Sequence, residues 1–346
     1  MSQPVLARHA GLIFRTLQPG LQRVSLLAEL PGLLQQFDVP VTDMLKRAGL
    51  RASDIADPEG SMPLTRFSEL LRACAEATGC PHFGLLYGSR WRLEHGGLAS
   101  EFASSCATLG QALDAFAAFH WMNSSGAVCY LQREDGVTKL GYVVFDPTVR
   151  EGLNIGYDAV MAVAVRLVRE LTRRADWKPS TITFTSKRPA LVAPYRRALG
   201  APVRFDADAT QMCFPTAFEA TRLPGADDAR RRALEARLRL VPREHLLRQL
   251  HRAVSVGLAF GLTSGDDIAS AMGMTRRTFN RRLASCGTTF NAVLDEVRCH
   301  VAMTLLRDTR LAVVDIALAL GYSDARAFNR AFGRWTGRTP AAWRRT

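Results

Sequence analysis

Lysine is almost missing from this chain. Of its 45 basic residues only four are Lys, at 46, 139, 178 and 187, and the rest are Arg. A basic surface here is therefore built from a group that pairs bidentately with phosphate or guanine, which Lys cannot do. Long apolar runs are missing too. The most apolar stretch, Ala159 to Val168, is broken by Arg166 and falls far short of the ~20 residues that span a bilayer. The opening residues hold only the apolar triplet Leu12 to Phe14, so no secretion signal and no membrane partner are expected. Cysteine is sparse: the seven, at 74, 80, 106, 129, 213, 286 and 299, form no CxxC pair and are odd in number. That pattern suits free thiols and a cytoplasmic location better than a disulfide framework. The hydrolase and metalloprotease signatures GxSxG, SxxK and HExxH do not occur, and the seven His make no metal spacing with Cys. Cys80-Pro-His82 is a lone pair of ligand types, short of a zinc site. Enzyme activity, a metal and a cofactor are all unexpected.

What is present is Arg, unevenly placed. The formal net charge is +13 over 346 residues. From His245 to Thr346 there are 15 Arg, no Lys and 7 acidic residues, a net +8. The length suggests two domains, and the last hundred residues are where an anionic partner is to be sought.

That segment contains a repeat. Asp267-Ile-Ala-Ser-Ala-Met-Gly-Met-Thr275 returns 48 residues later as Asp315-Ile-Ala-Leu-Ala-Leu-Gly-Tyr-Ser323. Phe279-Asn280-Arg281 returns as Phe328-Asn329-Arg330, and Leu283 as Phe332. Each copy reads as helix, tight turn, helix. Ile268, Ala269 and Met272 form one apolar face, repeated by Ile316, Ala317 and Leu320. Gly273 and Gly321 supply the left-handed residue that ends the first helix of each copy. Thr275 and Ser323 are placed to cap the second. Between the copies, apolar residues at 290, 293, 294, 297, 301 and 305 keep helical spacing, predicting a long linking helix. Two helix-turn-helix units so joined would enter successive major grooves ~34 Å apart. Arg276, Arg277, Asn280 and Arg281 then face the bases from the first unit. Asp324, Ala325, Arg326, Asn329 and Arg330 lie outward on the second. Arg pairs with guanine, Asn with adenine, and Ala meets a thymine methyl. Thr275, Arg282 and Ser323 are the phosphate candidates.

These motifs carry a resemblance. Asp267-Ile-Ala, Thr275-x-Arg-Thr-Phe-x-Arg-x-Leu, Asp315-Ile-Ala-x-x-x-Gly-Tyr-Ser-Asp and Ala327-Phe-x-Arg-Ala-Phe, continued by Gly337-Arg-Thr-Pro-Ala-Ala-Trp-Arg344, make residues 246–346 resemble the DNA-binding domain of the AraC/XylS family of bacterial transcription regulators. The resemblance implies that Arg277, Asn280, Arg281, Ala325, Arg326, Asn329 and Arg330 lie at or near DNA.

The first 225 residues read differently. Helices are predicted over 21–36, 41–48, 64–78, 98–106, 109–122 and 156–173, with Phe67, Leu70, Leu71 and Cys74 forming one stripe. A hairpin is predicted from Ala127–Arg133 and Val137–Phe145 around Glu134-Asp-Gly136, followed by strands at 181–185, 203–206 and 211–214. Without regular βαβ alternation, this is an α+β domain with an antiparallel sheet. Phe83-Gly-Leu-Leu-Tyr-Gly88, Gly96-Gly97, Thr108-Leu-Gly-Gln-Ala-Leu113 and Tyr195-Arg-Arg-Ala-Leu-Gly200-Ala-Pro-Val-Arg-Phe-Asp206 resemble the ornithine-utilisation-regulator type within the same family. That resemblance implies an effector-sensing, dimerising domain, and argues against the cupin-like arm domain of the arabinose regulator. Trp91, His95, Phe119, His120, Trp121, Tyr130, Tyr142 and Arg150 mix aromatic walls with polar handles and are the effector-binding candidates. Residues 226–245 read as a helical connector.

The expectation is a ligand-responsive activator whose partners are double-stranded DNA, a small-molecule effector, RNA polymerase and a second copy of the chain. Two alternatives remain. One is a dimeric regulator that needs no effector. The other is a DNA-repair alkyltransferase fused to a DNA-binding domain, raised by Arg298-Cys299-His300. That triplet lacks the preceding Pro and following Arg of the alkyltransferase motif, and lies in the linking helix, where a thiol is usually inert.

Overall fold

The computed structural model describes residues 20–144, 149, 151–239, 263–271, 275–309 and 311–345, together with 250, 251, 253, 254 and 258. They form two compact units that divide at residue 240.

The first unit is α+β. Leu21–Arg23 (β1) pairs antiparallel with Ser61–Pro63 (β2). The helix expected over 21–36 is therefore broken into this strand, a 3-10 turn at Val24–Leu27 and a short helix, Leu30–Gln35 (α1). Cross-strand pairing overrides local helical spacing here. Helices Val41–Arg47 (α2) and Leu64–Ala77 (α3) follow, and in α3 Leu70, Leu71 and Cys74 are fully buried. Next come Phe83–Gly88 (α4), Gly97–Ser104 (α5) and Leu109–Phe119 (α6), the last capped by Thr108 accepting from the Gln111 amide. The hairpin Ala127–Glu134 (β3) and Val137–Val144 (β4) turns through Asp135 and Gly136, both at positive φ, as a two-residue turn matching the strand twist demands. A twenty-residue helix, Leu153–Thr172 (α7), packs on the sheet. It is followed by Thr181–Thr183 (β5), Ala193–Leu199 (α8), Val203–Arg204 (β6) and Gln211–Pro215 (β7). The sheet order is β3-β4-β7-β5-β6. It is antiparallel as expected except at one edge, where β5 and β6 run parallel. The helix Asp228–Arg239 (α9) completes this unit. It covers much of the stretch read as a connector; residues 240–245 lie outside the described residues.

The motif Phe83-Gly-Leu-Leu-Tyr-Gly88 acquires a structural meaning. A Cβ on Gly84 would lie 2.1 Å from the Ile155 carbonyl oxygen, and one on Gly88 would lie 2.1 Å from that of Ala159. The two glycines let α4 lie directly on the backbone of α7. Gly88→Ala must push the helices apart, at a cost of about 1–3 kcal/mol. The greater helix propensity of Ala acts the other way, so a lowered urea midpoint would show the close approach dominating, and an unchanged one would refute it.

The second unit is helical. Gly265–Ala271 (α10) and Arg276–Ser285 (α11) pack together, as do Val313–Ala319 (α13) and Ala325–Thr336 (α14). Between the pairs runs Phe290–Asp308 (α12), and Pro340–Trp343 (α15) closes the chain. One core includes Ile268, Phe279 and Leu283 from the first pair, Val293, Val297, Val301 and Leu305 from α12, and Ile316, Leu320, Phe328 and Phe332 from the second. Gly321, at φ +76°, ends the turn after α13. Met272 and Gly273 lie outside the described residues. Among the described residues no helix is long and apolar enough to cross a membrane, and all seven Cys are free.

Candidate functional site

Two surfaces concentrate chemistry, one in each unit. In the helical unit, Thr275 Oγ1 accepts from the Thr278 amide at 3.3 Å and so caps α11. Arg277, Asn280 and Arg281 are exposed, and their i, i+3, i+4 spacing places them on one side of that helix. On α14 the same spacing recurs with Arg326, Asn329 and Arg330, also exposed, beside a half-buried Ala325.

Two residues depart from expectation. Arg276 does not face outward with its neighbours. Its guanidinium lies 5.4 Å from the Phe290 ring centre and 6.0 Å from that of Phe279, and a Cβ on Gly265 would collide with it. Phe290, the first residue of α12, lies close enough for the long side chain to fold over its aromatic face, a cation–π arrangement. Ser323 is not the cap of α14. That role falls to Asp324, whose carboxylate accepts from the Ala327 amide at 2.7 Å, while Ser323 Oγ donates to Asp324 Oδ2 at 3.1 Å. These hydrogen bonds hold the Asp324 carboxyl below the usual range. A carboxylate thus already occupies the helix N-terminus that was expected to receive a phosphate. The side chain of Arg282 lies outside the described residues.

The second pair is fixed to α12 by polar contacts that the repeat did not reveal. Arg298 Nε donates to the Leu320 carbonyl at 2.8 Å, satisfying the end of α13, and its guanidinium sits over the Tyr322 ring. Arg334 on α14 pairs with Asp295 at 2.9 Å. Cys299, on the same α12, has its thiol pushed up by burial and by Asp295. An un-ionised thiol is the opposite of what a nucleophile requires.

In the first unit a cavity of about 120 Å³ lies between α7 and the β3–β4 hairpin, with α3 and the 3-10 turn His120–Met122 at its sides. Four of the effector candidates line it: Trp91, His95, His120 and Tyr142. Phe119, Trp121 and Tyr130 do not. Phe119 packs on the Phe102 ring, at 5.4 Å between centres. Tyr130 follows Cys129 along β3, and strand alternation sends it to the other face of the hairpin, where it crosses Gly141. Arg150 lies outside the described residues.

Sequence reasoning missed Phe67, Tyr87, Phe116 and Asn123, all on the cavity wall. The first three look like ordinary core positions on helices. Asn123 carries no local signal, yet it is buried with Oδ1 unpartnered, as is Nδ1 of His120. Burial lowers the pKa of His120 to about 4, so its imidazole is neutral. At the cavity's polar side His95 Nδ1 accepts from the Arg92 amide at 3.1 Å, and its Nε2 lies 3.6 Å from Glu29. Among the described residues no group of three or more His, Cys, Asp and Glu could hold a metal ion, so Cys80 and His82 gain no further ligands.

The family model for the arabinose-binding domain of the AraC transcription regulator matches residues 39–223, and a helix-turn-helix model matches residues 268–346. This chain belongs to the AraC family of DNA-binding transcription regulators. The ornithine utilization regulator of Pseudomonas aeruginosa is 25% identical over 90% of this chain and 93% of its own. The regulator VirS of Mycobacterium tuberculosis is 29% identical over 90% and 89%. The transcriptional activator NphR of a Rhodococcus species is 31% identical over 29% of this chain and 30% of its own. The matching model of the first unit bears the arabinose regulator's name, whereas the motif likeness stated above was to the ornithine type; both kinds of relative fall in one family.

Proposed function

We propose that this AraC-family chain is a ligand-responsive activator that reads two adjacent major grooves. Residues 246–346 act as two helix-turn-helix units, α10–α11 and α13–α14, joined by α12. Arg277, Asn280 and Arg281 read one groove; Ala325, Arg326, Asn329 and Arg330 read the next. Thr275 and Arg282 hold phosphates beside the first. Arg276 is withdrawn from the base-reading set, and Ser323 from the phosphate set, on the geometry above. The observation that supports this reading most is the duplicated exposed triplet on two capped helices that share one core with α12. Residues 1–225 serve as the sensing and dimerising domain, 226–245 as its connector, and the cavity below α7 as the effector site. The activator sign is supported by the name of NphR.

Effector binding must favour one state by differential affinity, and so change DNA occupancy or contact with RNA polymerase. The test uses the full-length protein with sheared DNA from its source, followed by sequencing of the retained fragments. Enrichment of a motif with two elements one helical turn apart is expected. A single short element, or none, would overturn the two-groove reading.

A further inference from the structure

The cavity's walls say more about its ligand than the names of relatives do. Its space is on the scale of the ~150 Å³ apolar cavity that accommodates a benzene, so one ring with a short substituent fills it. Phe67, Tyr87, Trp91, Phe116 and Tyr142 furnish aromatic walls. Only two buried polar atoms of its lining lack a partner among the described residues: Nδ1 of His120 and Oδ1 of Asn123. They sit on one short turn, three residues apart in sequence, and the main chain fixes that turn, the Asn123 amide donating to the His120 carbonyl at 2.8 Å. An unpartnered buried acceptor is costly, and a ligand that satisfies it recovers that cost.

Charge narrows the choice. No Lys or Arg is among the described residues of the lining, and its single carboxylate, Glu29, already lies near His95 and Arg92. An anion entering here would lose its water and, among the described residues of the lining, meet no Lys or Arg cation. The neutral imidazole of His120 cannot supply one, since burial holds its pKa near 4. A polyol brings more hydroxyls than two free atoms can satisfy. An amino acid such as ornithine brings a carboxylate and ammonium groups to an apolar wall.

We infer that this cavity binds an uncharged, mainly apolar molecule of about one ring's size that carries a single hydroxyl or comparable hydrogen-bonding group, held by His120 and Asn123. The inference rests on the ligand-responsive reading and specifies its chemistry. A hydroxyl suits the pair because it both donates and accepts, donating to Asn123 Oδ1 while accepting from His120 in the tautomer that carries its proton on Nδ1.

Calorimetric titration of the full-length protein with benzyl alcohol, toluene, benzoate, benzylamine, L-arabinose and L-ornithine decides the matter. Benzyl alcohol is expected to bind about tenfold more tightly than toluene, the worth of one well-made buried hydrogen bond. The charged probes and the sugar should bind at least a hundredfold more weakly or not at all. His120→Phe and, separately, Asn123→Leu should erase the preference for benzyl alcohol while toluene still binds; thermal melts establish that each variant is folded. Tighter binding of benzoate, ornithine or arabinose than of benzyl alcohol overturns the assignment. So does a preference that survives both substitutions, or an absence of binding by every probe to the folded wild type. DNA retention measured in parallel separates this inference from the reading beneath it. If ornithine binds and shifts DNA occupancy, ligand response stands and the chemistry fails. If benzyl alcohol binds and leaves occupancy unchanged, the chemistry stands and ligand response fails.

Discussion

Phe328→Ala is expected to cost about 3–5 kcal/mol, the loss typical of a large core aromatic. With whole-domain stabilities of roughly 5–15 kcal/mol, that removes a large share of what holds the second helix pair. Phe328 has no exposed surface. Its ring lies 5.8 Å from that of Tyr322 and 5.6 Å from that of Phe332. Tyr322 in turn lies beneath Arg298, the residue that satisfies the Leu320 carbonyl at the end of α13. Deleting the Phe328 ring therefore withdraws support from a cation–π contact and a helix terminus as well as leaving a hole. Phe328→Leu keeps most of the volume and should cost less than half as much, since cores tolerate shape better than voids. Thermal unfolding of the full-length protein followed by circular dichroism checks both. The loss should be confined to the helical unit, leaving toluene or benzyl alcohol binding in the other unit unchanged. A native melting curve for Phe328→Ala would overturn the core assignment.

The repeat made the helical unit readable because each of its periodicities has one physical cause. Ile268 and Ile316, Phe279 and Phe328, Leu283 and Phe332 share spacing, and all six are buried in one core. What the pattern could not convey is which end of a long side chain goes where. Arg276 and Arg277 are adjacent and chemically identical. Only the neighbouring Phe290, brought alongside by the turn after α11, draws one back over its ring and leaves the other exposed. Likewise Ser323 and Asp324 are both good cap residues, and the backbone alone decides between them. In the first unit the difficulty is of another kind. β1 is three residues long and pairs with a strand forty residues away, so no local spacing announces it. The cavity gathers residues from β1, α3, α4, α6, β3, β4, α7 and the turn at His120–Met122, elements spread along the chain from Gln22 to Leu167. The aromatic candidates could be picked by type, but strand alternation and ring packing chose among them, keeping Tyr142 and turning Tyr130 away. Asn123 was invisible because its significance is an unmet hydrogen bond, a property of its surroundings rather than of the sequence.

Arg277→Ala and Arg330→Ala should each weaken binding to the true operator by about 1–3 kcal/mol, a loss of roughly five- to over a hundredfold, if each guanidinium reads a guanine. Both residues are exposed on capped helices, Arg277 opening the triplet Arg277, Asn280, Arg281 and Arg330 closing the triplet Arg326, Asn329, Arg330. Binding to random DNA then falls much less, because bidentate pairing to guanine O6 and N7 is made only at the matching base. An equal loss on both DNAs, with a shallower dependence of affinity on salt, would instead make that residue a phosphate contact, one that carries no sequence information. Arg276→Ala is the internal control. It carries the same charge on the same helix, but its guanidinium is spent on the Phe290 and Phe279 rings. Its removal should lower the melting temperature of the helical unit, by the ~0.5–2 kcal/mol such contacts contribute, and leave discrimination between operator and random DNA intact. Fluorescence anisotropy titrations at two salt concentrations, on operator and scrambled duplexes, separate the three substitutions. Should Arg276→Ala relax specificity as strongly as Arg277→Ala, the inward placement of Arg276 would not describe the DNA-bound protein, and the base-reading face of α11 would extend one residue further toward its N-terminus.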